Sequence, residues 1–401
     1  MKPWKKMLLG LLSLLLLAQI PFIYRRWQTA ALNDRIAELA AQRVPSGQTD
    51  YKTAQGVIHV HTSLGGHSRA VFPELAAAAK ANSLDFVVMT EHVDETLDTA
   101  ALTLKGDQQG VLFINGNELS TADDSRFLLV PGGSKAFAYG KNETADFLAQ
   151  RKMDGQLAFV TYPDRLKTPD ADFDGVEVFS LHTNAKRKIN RWLILDALWS
   201  FPSYPEATLA RHLHRSDEEL RFYDGLTASR KLTAFAGSDA HSNIGFHLFS
   251  DETGSSLLSV KLDPYETVFR VARTHVLLKK DEAATQGNIL RALKGGNCYI
   301  GFDVLGDASG FTFTAQNGSE TKIMGEEIAF SPALSLMAIA PLNSRFVLFR
   351  NGEKLQEFPG QTEMAFTPTQ AGTYRVEVYL DALGSPFDQT PWIISNPIYV
   401  K

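Results

Sequence analysis

Metal ligands scattered over most of a chain can meet only if the backbone returns repeatedly to one place. That requirement constrains this fold more than any other feature of the sequence. Four of the ten histidines, His59, His61, His67 and His92, fall in one short stretch. Glu118 follows, and Asp239 and His241 come much later. The local strings are Ile58-His59-Val60-His61-Thr62, Thr90-Glu91-His92, Gly116-Asn117-Glu118 and Gly237-Ser238-Asp239-Ala240-His241. Each sits at or just past the carboxyl end of a run that reads as a strand. Imidazoles and carboxylates at separate strand ends are the donor set of a hydrolytic metal centre. Strand ends gathered on one rim are where parallel α/β barrels hold their chemistry.

The intervening sequence supports such a rim. Residues 56–61, 85–90, 111–115, 127–130, 157–161, 176–179 and 232–236 read as strands. Residues 72–81, opened by Pro73 and Glu74, and residues 144–153 and 264–273 read as helices. Strands alternating with helices imply βαβ units and a parallel sheet. Periodicity does not separate a closed barrel from an open doubly wound sheet, but ligands converging from so many strands favour the barrel. Residues 181–230 interrupt the alternation. There Lys186, Arg187, Lys188 and Arg191 lead into Trp192-Leu193-Ile194-Leu195 and Leu198-Trp199-Ser200-Phe201. An outer helix packed on the barrel is the preferred reading, and a helix on an anionic membrane surface or a lid is the alternative. From about Ser309, short alternating strands with regular turns suggest a small β-sandwich. It carries no acid–histidine cluster, so packing, substrate positioning or partner contact is its expected role.

A chain of 401 residues suggests about two or three domains at ~100–200 residues each. A net charge of −5 shows no electrostatic footprint for nucleic acid, so no nucleic-acid binding is expected, although a nucleotide substrate stays open. Cys298 is the single cysteine, which excludes an internal disulfide. Its string Gly296-Asn297-Cys298-Tyr299-Ile300 reads as a buried strand start and Cys298 as a small core residue. At the amino terminus Lys2, Lys5 and Lys6 precede an apolar run over residues 7–24, and Arg25-Arg26-Trp27 follow it. A run of that length can span a bilayer at ~1.5 Å per residue, and it lacks a convincing small-residue cleavage site. An uncleaved transmembrane anchor is expected, with secretion after signal cleavage as the alternative. The lysines favour a cytoplasmic amino terminus. The rest would then lie outside the cytoplasm, on the periplasmic side of the inner membrane in a Gram-negative source. Residues 29–41 read as a short separate helix and residues 44–53 as a linker. The expected division is residues 1–28 anchor, 29–53 stalk and linker, 54–305 barrel hydrolase with helical insertion 181–230, and 306–401 β-sandwich.

His59 and His61 stand two apart on a strand, so both side chains leave one face, as a metal held at ~2.0–2.1 Å by two imidazoles needs. Gly65-Gly66 can turn His67 back over the rim. Together with Pro73-Glu74-Leu75 and Asp85-Phe86-Val87-Val88-Met89-Thr90-Glu91-His92, these strings resemble the PHP (polymerase and histidinol phosphatase) family over residues 56–303. In the tail, Tyr374-Arg375-Val376-Glu377-Val378 and Pro391-Trp392-Ile393-Ile394-Ser395-Asn396-Pro397 resemble the extra β-domain of a carbaryl-hydrolase-like PHP subfamily. The resemblance implies an α/β fold, a distorted (βα)7 TIM-like barrel, and up to three divalent metals. It implies one metal on His59, His61, Glu118 and Asp239, and another on His67, His92 and His241. Two positions depart from the family pattern. Arg126 stands where a histidine usually begins the strand after Gly-x-Glu, and Tyr162 stands where a histidine usually precedes proline. Both family histidines help to hold a further metal. Two ions (Zn, Mn or Fe) are therefore expected, with Tyr162 and His182 as candidate extra ligands.

The expected activity is a metal-dependent phosphoesterase. It would hydrolyse a phosphate mono- or diester through a metal-bound water held by His59, His61, Glu118 and Asp239. Arg126 or Arg165 would clamp the phosphate, unless both are plain surface charges. The expected substrate is a small-molecule or lipid-linked phosphoester, and the expected partner is the inner membrane. His212 and His214 read as exposed on a polar helix, and His247 and His275 as structural. The alternatives are a metal-dependent carboxylic or carbamic ester hydrolase, and a metal-binding, non-catalytic envelope protein.

Overall fold

A computed structural model of the chain describes residues 2–44, 50–66, 68, 70–187, 196–243, 245–250 and 256–401. One helix, Pro3–Ala41, runs through both the apolar segment and the expected stalk. Residues 28–41 are mostly alanine, leucine, glutamate, arginine and glutamine, good helix formers with no glycine or proline among them, so the anticipated break after residue 28 does not occur. The apolar part has a mean hydropathy of 2.1, has no buried residue, and is long enough to cross a membrane. Beyond it the helix buries Thr29, Leu32 and Leu39, one face at helical spacing, against the body.

The body is a mixed α/β structure. Its first strands are β1 (Tyr51–Val60), β2 (Phe86–Met89), β3 (Glu91–His92), β4 (Gly106–Gln108), β5 (Val111–Ile114), β6 (Asn117–Ser120), β7 (Arg126–Val130), β8 (Leu157–Thr161), β9 (Gly175–Ser180) and β10 (Thr233–Ala240). β1 lies between β2 and β10, parallel to both. β2 pairs with β5 and β3 with β6, again parallel. β8, β9 and β10 are also parallel neighbours. β7 runs antiparallel to both β6 and β8. In pairing order these strands run β5-β2-β1-β10-β9-β8-β7-β6-β3. A uniform (βα)7 barrel is not what the described strands form. Residues 121–125 are too few for a crossover, so β6 and β7 make a hairpin.

Alternating side chains of β1 enter two different cores, as strand geometry requires. Ile58 joins Phe86, Val88, Ile114, Phe159 and Phe235 in one core. Val57 joins Val87, Phe113 and Leu75, the last from the helix Phe72–Ala81, in another.

The hairpin β11 (Gly245–Ser250) and β12 (Ser256–Lys261) stands apart from the main sheet. The helix expected over residues 264–273 shrinks to Tyr265–Val268, because Arg273 already begins β13 (Arg273–Lys279), which pairs antiparallel with the first half of β1. Cys298 is buried in β14 (Cys298–Gly301). The remaining strands are β15 (Thr312–Asn317), β16 (Glu320–Ile323), β17 (Glu327–Ile328), β18 (Ser335–Arg350), β19 (Glu353–Phe366), β20 (Gly372–Tyr379), β21 (Ile393–Ser395) and β22 (Ile398–Val400). The sequence pattern predicts short strands in the tail, but β18 and β19 run for 16 and 14 residues, and β18 joins the two strands expected at residues 334–339 and 345–349. β14 pairs with β21, and β21 with β20, so the sheet continues from the α/β part into the tail and stays open as a whole. A buried charge cluster spans the same junction. Arg375 on β20 donates to both oxygens of Asp224, at 2.6 and 2.7 Å, and to Glu377, which also takes both forks of Arg215.

Candidate metal centre

The strand register shifts between Ile58 and Val60 against both neighbours. Against β2 the extra residue is His59, and against β10 it belongs to β10, between Gly237 and Ala240. His59 adopts φ 69°, and Asp239 and Tyr162 adopt φ 45° and 52°. Left-handed backbone at a residue other than glycine costs of order 1–3 kcal/mol and collects at functional sites. Simple alternation along a strand therefore does not place His59. The bulge turns its ring beside that of His61, with 5.1 Å between centroids. The ring of His61 is in turn stacked between those of His92 and His241, at 4.6 and 4.5 Å.

The donor atoms are spaced as ligands of shared cations. Glu118 Oε2 lies 3.4 Å from Nε2 of both His59 and His61 and 3.4 Å from Nδ1 of His92. Asp239 Oδ1 lies 3.5 Å from the same two Nε2 atoms. These separations are long for hydrogen bonds. Donors about 2.1 Å from a tetrahedral ion stand about 3.4 Å from one another, which is the spacing observed. Two groups of donor atoms converge, His59 with His61 and Glu118, and His61 with His92 and His241. His61 belongs to both.

Hydrogen-bond accounting agrees. His59 Nε2, both ring nitrogens of His61 and Glu118 Oε1 are buried without a hydrogen-bond partner. Buried polar atoms are almost always partnered, so the Nε2 atoms of His59 and His61, unpartnered among the described residues and both beside Glu118 Oε2 and Asp239 Oδ1, fit ligands of a bound cation. The other nitrogen of His59 is spoken for. Its Nδ1 contacts Glu177 Oε1 at 2.7 Å, and Thr161 donates to the other oxygen of Glu177 at 2.6 Å. His241 Nδ1 contacts the Asp239 carbonyl at 2.8 Å. Such contacts fix the tautomer and leave Nε2 facing the metal. Glu91, next to His92, accepts from the Thr62 amide and hydroxyl and from Thr103, tying the end of β1 to that of β2.

The electrostatics show what the site lacks. Burial opposes charge on His59, but Glu177, Asp239 and Glu118 together raise its pKa well above the usual imidazole value. Burial and then the neighbouring His59 push His61 well below that value. Burial would raise Glu118 and Asp239, yet His59 above all holds each at about 2. Burial also pushes the Glu177 carboxyl up, so the buried carboxylates of Glu118 and Asp239 beside the imidazoles of His59 and His61 make up a donor set that suits divalent cations.

Among the described residues, His59, His61, His92, Glu118, Asp239 and His241 are brought together. His67 lies outside the described residues, as do Lys188, Arg191 and residues 192–195. The His182 ring is 5.7 Å from that of His241, beside the cluster. The Tyr162 hydroxyl donates to Asp239 Oδ2 at 2.9 Å, and burial, followed by Asp239, pushes the phenol up. It stays protonated and holds Asp239. Arg126 Nη1 stands 3.6 Å from Glu118 Oε1, and its guanidinium lies 5.2 Å above the Tyr162 ring. Arg165 lies 5.6 Å from that ring. A cavity of about 420 Å³ opens beside the cluster at His92, Glu118, Arg126 and Lys141. A second, of about 420 Å³, opens at Tyr162, Glu177, Asn184 and Asp217.

Other expectations change. His212 and His214 are half-buried in a turn and extended segment rather than exposed on a helix. His212 contacts Asp196 at 3.1 Å, and His214 contacts Asn184. His275 is buried in β13 against Asp303, a structural arrangement. The side chain of His247 lies outside the described residues. The site residue not anticipated is Glu177. It sits mid-strand in Gly175-Val176-Glu177-Val178-Phe179, and its only sequence signal is a carboxylate inside an otherwise apolar strand.

No protein-family model matches the chain, and no curated protein matches it. Among solved structures it is similar to PsfC from Pseudomonas syringae PB-5123, at 16% identity and TM-score 0.38 over 59% of this chain and 87% of that one. It is also similar to the lesion-specific endonuclease PfuEndoQ from Pyrococcus furiosus, at 15% identity and TM-score 0.35, covering 61% of this chain and 56% of that one. A third is Endonuclease Q bound to a 27-mer duplex with an abasic lesion, at 14% identity and TM-score 0.32, covering 69% and 59%. The chain thus spans under two thirds of the endonucleases' length, and likenesses this distant establish neither its fold nor its activity.

Proposed function

We propose that this protein is a PHP-type metal-dependent phosphoesterase acting on a phosphate mono- or diester, anchored by its amino-terminal helix with the site outside the cytoplasm. The observation that carries this reading is the pair of buried Nε2 atoms of His59 and His61, unpartnered among the described residues and each 3.4–3.5 Å from Glu118 Oε2 and Asp239 Oδ1. His59, His61, Glu118 and Asp239 would hold one divalent ion. His92 and His241, with His61 alongside and, as the resemblance implies, His67, would hold the other. Bound there, such ions acidify water and neutralise charge on phosphoryl oxygens.

The chain's own groups complete the site. Glu177 fixes the tautomer of His59, and Tyr162 fixes the free oxygen of Asp239. Arg126 presents its guanidinium at the wall of a cavity shared with His92 and Glu118, where a two-pronged donor suits a phosphoryl group. Arg165, on the other side of Tyr162, is placed to assist. Nucleic acid is not proposed as the substrate, despite what the distant endonucleases act on. The net charge is −5, and Asp164, Asp217 and Glu218 line the neighbouring cavity, which repels a polyanion.

The test uses the full chain in detergent, stripped by chelator and reloaded with Mn, Zn or Fe. The substrates are p-nitrophenyl phosphate, bis-p-nitrophenyl phosphate, p-nitrophenyl acetate and a labelled DNA duplex. Metal-dependent turnover of a phosphoester, lost in His61→Ala and Asp239→Ala, supports the reading. Turnover of the acetate alone, or of none of them by metal-loaded protein, overturns it.

A further inference from the structure

The long helix leaves a cavity of about 430 Å³ where it first meets the body beyond its apolar segment. Arg25, Gln28 and Arg35 line it from the helix, and Arg211, His212 and Pro386 from the body. Its charges do not cancel. Buried Asp196 takes both forks of Arg25, at 2.7 and 2.5 Å, and the contact from His212. Arg211 instead donates to neutral acceptors, the Arg25 carbonyl at 2.6 Å, Thr29 Oγ1 at 2.9 Å and Gln28 Oε1 at 3.0 Å. Arg35 donates to the Leu383 carbonyl at 2.7 Å. Burial lowers the pKa of Arg211 while Asp196 acts to raise it, and the carboxylate itself is taken by Arg25 and His212.

The level of this cavity is informative. The groups held by Arg211 sit on residues 25–29, directly after the apolar run ends at Tyr24. At ~1.5 Å per residue that is about 2–8 Å beyond the hydrocarbon, and headgroups occupy about 5–7 Å on each side of a bilayer. Tyr24 and Trp27 stack at 6.0 Å and are exposed, like the aromatic belt at a membrane interface. Trp199, also exposed, meets Phe22 of the helix at 5.1 Å, and its carbonyl accepts from Arg26. Segment 196–203 is thus fastened to the helix at the same level.

We propose that this cavity binds the phosphate of an anionic phospholipid headgroup through Arg211, with Arg35 at its far end, so that the body is seated on the bilayer surface. The inference rests on the helix spanning the membrane and is independent of the activity proposed for the metal centre.

The experiment is native mass spectrometry of the full chain in a nonionic detergent, titrated with dioleoyl phosphatidylglycerol, dioleoyl phosphatidylcholine or inorganic phosphate. The wild type is expected to retain phosphatidylglycerol in preference to phosphatidylcholine, and equimolar inorganic phosphate should not displace it. Arg211→Gln should lower retention about five-fold, the worth of one basic side chain at an anionic surface. Arg35→Gln, an exposed position that folding tolerates, should lower it in the same direction. Equal retention of both lipids, no change in a folded variant, or displacement by inorganic phosphate would each overturn the proposal.

Discussion

Gly237 has no side chain because Glu177 occupies the space where one would go. A Cβ at residue 237 would stand 1.5 Å from Glu177 Oε1. That carboxylate is buried and holds His59, so it cannot swing aside without releasing the imidazole. Gly237→Ala should therefore act like a lesion at Glu177. Removing an outer partner of a metal-bound histidine typically costs 10–100-fold in affinity. Glu177→Ala and Gly237→Ala should each weaken metal binding by about that much, read by titration of chelator-stripped protein, while the fold persists by circular dichroism. Wild-type affinity in both variants would remove Glu177 from the site. Arg126 makes a separate residue-scale prediction. If it grips the phosphoryl group, Arg126→Met should lower kcat/KM for a phosphomonoester about 10–100-fold, since a charge-assisted hydrogen bond contributes ~1.5–3 kcal/mol, and should leave metal content intact. Unchanged kcat/KM would make Arg126 a mere neighbour of Glu118.

At the scale of elements, much was legible in advance. The helices at residues 72–81 and 144–153 and the strand at residues 157–161 lie where proline, apolar spacing and strand-like runs put them. The ligand strings at strand ends converge as their residue types demand. What local pattern could not reveal came from tertiary pairing. The bulge at His59 exists because β1 must match two neighbours whose registers differ, and the antiparallel placement of β7 follows from a short connection. Glu177 stayed hidden because a lone acid in an apolar strand has no motif until its histidine is found. The junction between α/β part and tail was equally invisible, since Asp224, Arg375, Glu377 and Arg215 meet only in the fold. Breaking a buried ion pair by removing one partner costs about 3–5 kcal/mol. Arg375→Met should lower unfolding stability in urea by that order, and a loss under 1 kcal/mol would contradict the role given to this cluster. Burial opposes charge on Glu377, but Arg375 and then Arg215 hold its pKa at about 2, against an ordinary 4.5. A depressed carboxylate pKa stabilises the fold above the unfolded value, and that contribution drains away as pH falls towards the folded value. The stability gap between wild type and Glu377→Gln should therefore be widest above pH 4.5 and close towards pH 2. A gap independent of pH would show that the charge on Glu377 is not what stabilises.

The molecule as a whole is read as an apolar helix that continues, without a break, into the face of an α/β body whose strand ends gather one cluster of donors. Continuity matters, because Thr29, Leu32 and Leu39 pack the helix against the body instead of leaving it on a flexible stalk. Removing residues 2–24 should leave a folded body that still binds metal but no longer partitions with membranes free of anionic lipid, and co-sedimentation with phosphatidylcholine vesicles measures this directly. Loss of metal binding on that truncation would couple the helix to the site in a way the geometry does not predict. The central claim is that His61 joins two groups of donors around divalent cations. Elemental analysis of full-length protein, purified without chelator and dialysed against Mn, Zn or Fe, tests it. The account predicts about two divalent ions per chain in the wild type and essentially none in a folded His61→Ala variant. Wild-type protein without metal, or a His61→Ala variant with the same content, would contradict it.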